Sequence, residues 1–245
     1  MPLEQNRDCQ NIGEISQSVI KYLGCLCDYF PRGTELDIVT DEYNKAFAKH
    51  EAGGYTPLMI VIEGHMFFDD GLCSADLQRD IFSAPKIDPE KWFVKTKAEH
   101  DKDFCYDPNE IIGEISNGKP RTEFSSIIDY GINKSRECVL AKIPVKNPWE
   151  VFAWFPFGGW NDCPAPEEML WIGKYWYEKY GAVPAVMTGS ELEFSACSVK
   201  DKAAAFELAL EHFAFCPDNV LQNTGTIGRL ADSLTKSSVW HFWWD

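Results

Sequence analysis

Gly54-Tyr55-Thr56-Pro57-Leu58-Met59-Ile60-Val61-Ile62 is the stretch that decides the fold. Leu58 to Ile62 is apolar at every position rather than at alternate ones, and Glu63-Gly64 closes it with a turn. An unbroken apolar run of strand length predicts a central strand covered on both faces. The Gly-x-x-Pro corner leading into it recurs at Gly181-Ala182-Val183-Pro184, again followed by an apolar strand and a turn. Around each corner the order is strand, helix, corner, strand, tight turn, strand, helix. The expected fold class is therefore α/β (α+β), a mostly antiparallel sheet with covering helices. The shared order suggests duplicated ferredoxin-like βαββαβ halves. The halves share few identities, which leaves a coincidental order in an α/β chain as the alternative.

Working outward towards the N-terminus, Ile15, Val19, Leu23, Leu26, Cys27 and Phe30 recur at helical spacing before Gly33 and predict one amphipathic helix. Leu36 to Val39 reads as a strand, and Thr40 or Asp41 as the cap of a helix carrying Tyr43, Phe47 and His50 to Gly53-Gly54. Beyond the central strand, His65 to Phe68 continues as a strand and Ser74 starts a short helix through Leu77 and Ile81. Asp88-Pro89 and Asp107-Pro108 are two helix-start signals of one kind.

Towards the C-terminus the signals are denser. Cys138 to Val145 reads as a strand, Pro166 to Tyr180 as a helix ended by Gly181, and Ala182 to Met187 with Glu191 to Ser195 as a hairpin around Gly189-Ser190. Ser198 and Asp201 form a capping box for a helix ending near Phe215, Thr226 to Leu234 is helical, and Val239 to Trp244 closes as an internal strand. Only Trp92 of the nine tryptophans precedes residue 140, so two units are expected, 1–137 and a Trp-rich 138–245.

The hydrophobic fraction of 45% and charged fraction of 25% are those of an ordinary globular chain. Met1 to Gln10 lacks the basic-then-apolar pattern of an export signal, and no apolar run is long enough to span a bilayer, so a soluble cytoplasmic protein with no membrane contact is expected. Nine scattered cysteines, an odd number, then read as reduced thiols. Cys25 and Cys27, on a helix, would point to different sides, and no Cys-x-x-Cys or His-x-x-x-His spacing occurs, so no metal and no cofactor is expected. A formal net charge of −15 repels phosphate backbones and excludes nucleic acid as a natural partner. The same charge favours a basic protein partner, or serves solubility alone.

The densest cluster of unusual residues is Phe157-Gly158-Gly159-Trp160-Asn161-Asp162-Cys163-Pro164, with Phe215-Cys216-Pro217-Asp218-Asn219 and the terminal Trp240-His241-Phe242-Trp243-Trp244-Asp245. The run Asn147-Pro148-Trp149-Glu150 into Pro156 to Asn161, the Cys216-Pro217-Asp218 step and the Phe-Trp-Trp-Asp ending resemble the bacterial domain-of-unknown-function family 4253. The resemblance covers residues 138–245. It implies a shared fold and a shared site, and supplies no reaction.

Chemistry offers several roles for these residues. Gly158 and Gly159 permit a sharp turn and close approach of a ligand, with Trp160, Asn161 and Asp162 beside them; a tight structural loop is the competing reading. Cys163 can be a nucleophile with His212 as base and Asp218 as orienting carboxylate, unless both are simply packed. Asp162, Asp218 and Asp245 can act as acid and base beside an aromatic sugar platform, or as ligands for magnesium, although a cap and a turn account for two of them. Trp171 and Tyr175, four apart on the charged side of the Pro166 to Tyr180 helix, are expected either as an exposed anchor for a partner or as covered by another segment of the chain, such as the Trp149 to Phe157 stretch. The three motifs, with Cys216 and Trp244, are expected to converge into one binding site. The expected function is a non-catalytic interaction protein binding a basic protein partner, in the manner of an immunity protein; the alternative is a hydrolase-type enzyme using the Cys/His/carboxylate site.

Overall fold

The computed structural model describes residues 13–63, 80–103, 106–107 and 110–244. In chain order these form α1 (Glu14–Leu23), β1 (Leu26–Phe30), α2 (Leu36–Phe47), α3 (His50–Gly53), β2 (Thr56–Val61) and α4 (Pro89–Asp103). A two-stranded ribbon, β3 (Ile128–Asp129) and β4 (Lys134–Ser135), precedes β5 (Cys138–Ile143) and the short α5 (Val151–Trp154). The chain then forms α6 (Pro166–Tyr180), β6 (Val183–Met187), β7 (Glu191–Ser195), α7 (Lys202–Phe215), α8 (Ile227–Leu234) and β8 (Val239–Trp243). No helix among the described residues is long and apolar enough to cross a membrane.

Six strands make one sheet in the order β1-β5-β2-β6-β7-β8, and every neighbouring pair is antiparallel except β2 with β6. β2 is buried at all its positions, as its unbroken apolar run requires. Leu58 and Ile60 face the larger core, formed with α1, α4, α5, α6, α7 and α8, while Met59 and Val61 face a smaller one under α2 and Phe124. The mixed α/β class and mostly antiparallel sheet are those expected. The duplication is not confirmed: among the described residues the part before residue 138 gives this sheet β1 and β2, the part after it gives β5, β6, β7 and β8, and β5 sits between β1 and β2. The expected boundary between 137 and 138 falls just before β5, which pairs with β1 on one side and β2 on the other.

Several local expectations are corrected. The first helix stops at Gly24, whose left-handed φ of 61° ends it, and Leu26–Phe30 continues as β1 although the apolar period runs on. Cys25 therefore precedes a strand and Cys27 lies within it. Leu36 to Val39 is not a strand but the first turn of α2, because Val39, Tyr43 and Ala46 share one buried face. His50 begins the separate α3. Asp88 does cap α4, its carboxylate accepting the Lys91 N–H at 3.3 Å, whereas residues 110–112 after Asp107-Pro108 make only a turn. Asp201, not Ser198, accepts the capping N–H, from Ala204 at 2.8 Å. The expected His65 to Phe68 strand and the Ser74 and Leu77 part of the next helix lie outside the described residues, while residues 80–83, with Ile81, are helical.

β8 is ordered and paired, yet it is an edge strand, bonded only to β7, rather than an internal one. Trp240, Phe242 and Trp244 nevertheless sit in the larger core, because α7 covers that face. Phe242→Ala is expected to cost about 3–5 kcal/mol in urea unfolding. Trp243→Ala, which changes the half-buried opposite face, is expected to cost much less.

Candidate functional site

The loop at Gly158 is built by backbone geometry. Gly158 (φ 107°), Gly159 (φ 89°) and Asn161 (φ 47°) all lie in the left-handed region. The Gly159 N–H donates to Cys163 O (3.3 Å) and Pro164 O (3.0 Å), and the Cys163 N–H donates to Trp160 O (2.9 Å). A Cβ on Gly158 would stand 2.0 Å from Pro164 O, so the chain closes on itself there.

The structure brings the loop to the other two motifs. Phe157 meets Trp160 at 4.9 Å and Trp244 at 5.8 Å between ring centroids, and Phe215 meets Trp244 at 5.4 Å. The Cys216 thiol donates to Trp243 O at 3.1 Å, and the Asn219 N–H donates to Cys216 O at 3.2 Å. Asn161 and Asp162 are exposed at the loop and Asp218 is half-buried. Asp245 lies outside the described residues.

Thiolate chemistry is not favoured by this convergence. Cys163 is buried, and burial followed by the neighbouring Cys216 pushes its thiol upward; the group opposing them is a backbone N–H at Gly159, not an imidazole. Burial likewise raises Cys216, to about 12. His212 is held neutral by burial, its pKa depressed to about 3, and it packs against Trp240 and Phe242, each at 4.7 Å. A thiol without an adjacent base stays protonated at neutral pH, so Cys163, His212 and Asp218 lack the activation that a nucleophilic triad needs.

Trp171 and Tyr175, expected either exposed or covered, are both half-buried. Trp171 is half-buried beside Ile81, Ala153 and Leu170, with Lys86 Nζ 5.4 Å and Lys174 Nζ 5.8 Å from its ring centroid. Tyr175 points its hydroxyl at Glu211 Oε1 (2.8 Å), in a network that also takes Trp176 Nε1–H (2.9 Å) and Lys179 Nζ (2.8 Å). Trp171 packs against Ala153 of the Trp149 to Phe157 stretch, and the helix Lys202–Phe215 supplies the partner of Tyr175.

A second feature escapes the sequence reading. Between α2 and residues 122–128 runs a groove of about 620 Å³. Tyr43, Phe47 and Phe124 give it an apolar lining, Asp37, Asp41 and Glu123 give it acid, and no lysine, arginine or histidine lines it. Those three carboxylates form no ion pair among the described residues. The Tyr43 hydroxyl is buried without a hydrogen-bond partner, and burial raises its pKa, so it is neutral. Asp37 and Asp41, four apart and so on one helical face, are the signal in the sequence that could have found half of this groove. Among the described residues no three His, Cys, Asp or Glu side chains gather as metal ligands.

A mixed α/β protein with a Trp-rich C-terminal part is what this geometry defines. Residues 139–245 match the family described as domain of unknown function (DUF4253). The matched span holds all three converging motifs and excludes α2 and residues 122–128. No curated protein and no solved structure matches the chain.

Alkylation of the native protein, mapped by mass spectrometry, should label exposed Cys197 rapidly and Cys163 and Cys216 only on unfolding. Rapid loss of the native Cys163 thiol would restore the nucleophile reading. For His212, an unfolded imidazole takes up a proton as pH falls through 6.5, while the folded one resists until about 3. Stability is therefore lost as pH falls across that window, and His212→Phe should flatten the slope by an amount approaching ~1 kcal/mol per pH unit in chemical denaturation.

Proposed function

We propose that the chain is a non-catalytic interaction protein that receives a basic segment of a protein partner in the acidic groove between α2 and residues 122–128. The observation carrying this reading is the groove itself, with three unpaired carboxylates over an apolar lining that includes an unsatisfied tyrosine hydroxyl. A lysine or arginine lays its aliphatic stem on rings such as Phe47 and Phe124 and its charge among Asp37, Asp41 and Glu123. The Tyr43 hydroxyl, which costs free energy while unpaired, then gains a donor. A net charge of −15 supports the same choice of partner by accelerating encounter with a basic protein. Neutralising a basic enzyme or toxin is the role that such a surface fits. The six described cysteines are free thiols, which supports a reducing compartment, the cytoplasm.

The reading is tested by calorimetric titration with an arginine-rich peptide at low and high salt. Binding is expected to weaken with salt and to fall roughly tenfold, about 1.4 kcal/mol, in Asp37→Asn/Asp41→Asn, with thermal unfolding unchanged. Affinity that the double variant leaves intact would place the peptide elsewhere on the acidic surface and defeat the assignment.

A further inference from the structure

On the far side of the same connecting segment lies a cavity of opposite character. Residues 117–121 are strapped over α8: the Gly118 N–H donates to Asp232 Oδ2 (2.8 Å), Ser233 Oγ–H donates to Lys119 O (2.6 Å), and a Cβ on Gly118 would stand 2.2 Å from Ser233 N. The backbone N–H of Ser238, entering β8, donates to Arg121 O at 2.9 Å. Between strap, α8 and β8 a cavity of about 510 Å³ remains, within the range of small-molecule sites.

Two properties of its lining are out of keeping with the rest of the molecule. In a chain of net charge −15, the cavity carries Lys119, Arg121 and Arg229 and no carboxylate. Its buried wall includes His212 and Trp240, each 1% exposed, whose Nε2 and Nε1 atoms have no hydrogen-bond partner. An orphaned buried polar atom costs about 1–3 kcal/mol, and both residues that carry one here belong to the lining of a single cavity. Asn219, also buried, and Asn223 add amide groups to the same lining.

We propose that this cavity binds a small organic anion, a planar ring bearing a carboxylate or a phosphate, with the anionic group on Lys119, Arg121 and Arg229 and the polar edge of the ring on Trp240 Nε1 and His212 Nε2. Arginine suits this role because its planar fork pairs with either anion in two parallel hydrogen bonds. His212 enters as a neutral hydrogen-bonding group, since burial keeps it uncharged, so the anionic group is assigned to the three basic side chains rather than to this imidazole. The site is independent of the acidic groove, and failure of either reading leaves the other standing.

Two pairs of probes test it: nicotinate against nicotinamide for a ring carboxylate, and adenosine 5′-monophosphate against adenosine for a ring phosphate. Isothermal titration of the full chain should show binding of one anion and at least tenfold weaker binding of its neutral counterpart. The bound anion should shift the indole N–H resonance assigned by its absence in Trp240→Phe. Lys119→Gln/Arg229→Gln should weaken binding by tenfold or more at an unchanged unfolding temperature, and Lys119→Gln alone, at an exposed position, gives the same test if the double variant fails to fold. Whichever anion binds names the group. Absence of binding by both at millimolar concentration overturns the proposal, as does an equal affinity for the neutral counterpart or a Trp240 resonance that does not move.

Discussion

The interior of the C-terminal half depends on satisfying one indole N–H. Trp176 is fully buried, and the rings of Phe93, Phe194, His212, Phe215, Trp240 and Phe242 lie within 5.7 Å of it, so α4, β7, α7 and β8 all pack on this one side chain. A donor so deep needs an acceptor, and Glu211 supplies it at 2.9 Å. A buried carboxylate is costly in its turn unless it is itself paired. Lys179 and Tyr175 complete the set. Desolvation works against the charge on Lys179, but its hydrogen bonds to Glu211 and Tyr175 prevail and raise its pKa. Tyr175 and Lys179, one helical turn apart, are thus held by the carboxylate that satisfies the indole, which is why Tyr175 turns its hydroxyl to Glu211.

Where a local signal and the tertiary demand coincide, the sequence is legible. The helix Pro166–Tyr180 has its ends written in it: Ala165 N–H donates to Glu168 Oε2 at 2.9 Å, and Gly181 takes the left-handed cap at φ 67°. The central strand, the hairpin and the terminal strand are equally local. Leu36 to Val39 fails because Ile38 and Val39, both β-branched, favour a strand in isolation, whereas burial of Val39 with Tyr43 and Ala46 requires a helix. The period through Leu23, Cys27 and Phe30 misleads for the opposite reason, since a single glycine changes the backbone while the apolar spacing continues. Of the site, the convergence of Phe157, Cys216 and Trp244 could be anticipated from their shared motifs. Of the groove only the Asp37 and Asp41 side could be, and the cavity could not, because each takes one wall from residues 117–128, which have no periodic pattern to announce where they dock.

That segment is fixed by polar contacts rather than by apolar burial alone. Buried Glu193 accepts the Ser125 N–H and hydroxyl, each at 2.9 Å, and the Ser126 N–H at 3.3 Å, while Asp232 and Ser233 hold its beginning. Burial pushes Glu193 upward in pKa against these donors, so the contact is strong only while the carboxylate is ionised. Lys119 and Arg121 line the cavity and Glu123 and Phe124 the groove, so a few residues separate two recesses of opposite charge. The facing walls at His212 and Trp240 lie inside the family-matched span and the segment lies before it. Both recesses exist only because the N-terminal part of this chain lies against the C-terminal part.

The place of β5 between β1 and β2 has a consequence for the order of events on the ribosome. β1 and β2 leave the exit tunnel early, yet their antiparallel partner is the later-made Cys138–Ile143, and they make no ladder with each other. Until that strand emerges, Leu58 to Val61 has no ladder, and of its two faces only that of Met59 and Val61 has a covering helix, α2, already made, which is a condition in which nascent chains recruit chaperones. Conversely, a shortened chain starting at Val139, the first residue of the family match, would carry a central strand stripped of both neighbours. Translation speed through the residues that separate β2 from β5 therefore sets how long this chain must be protected from itself.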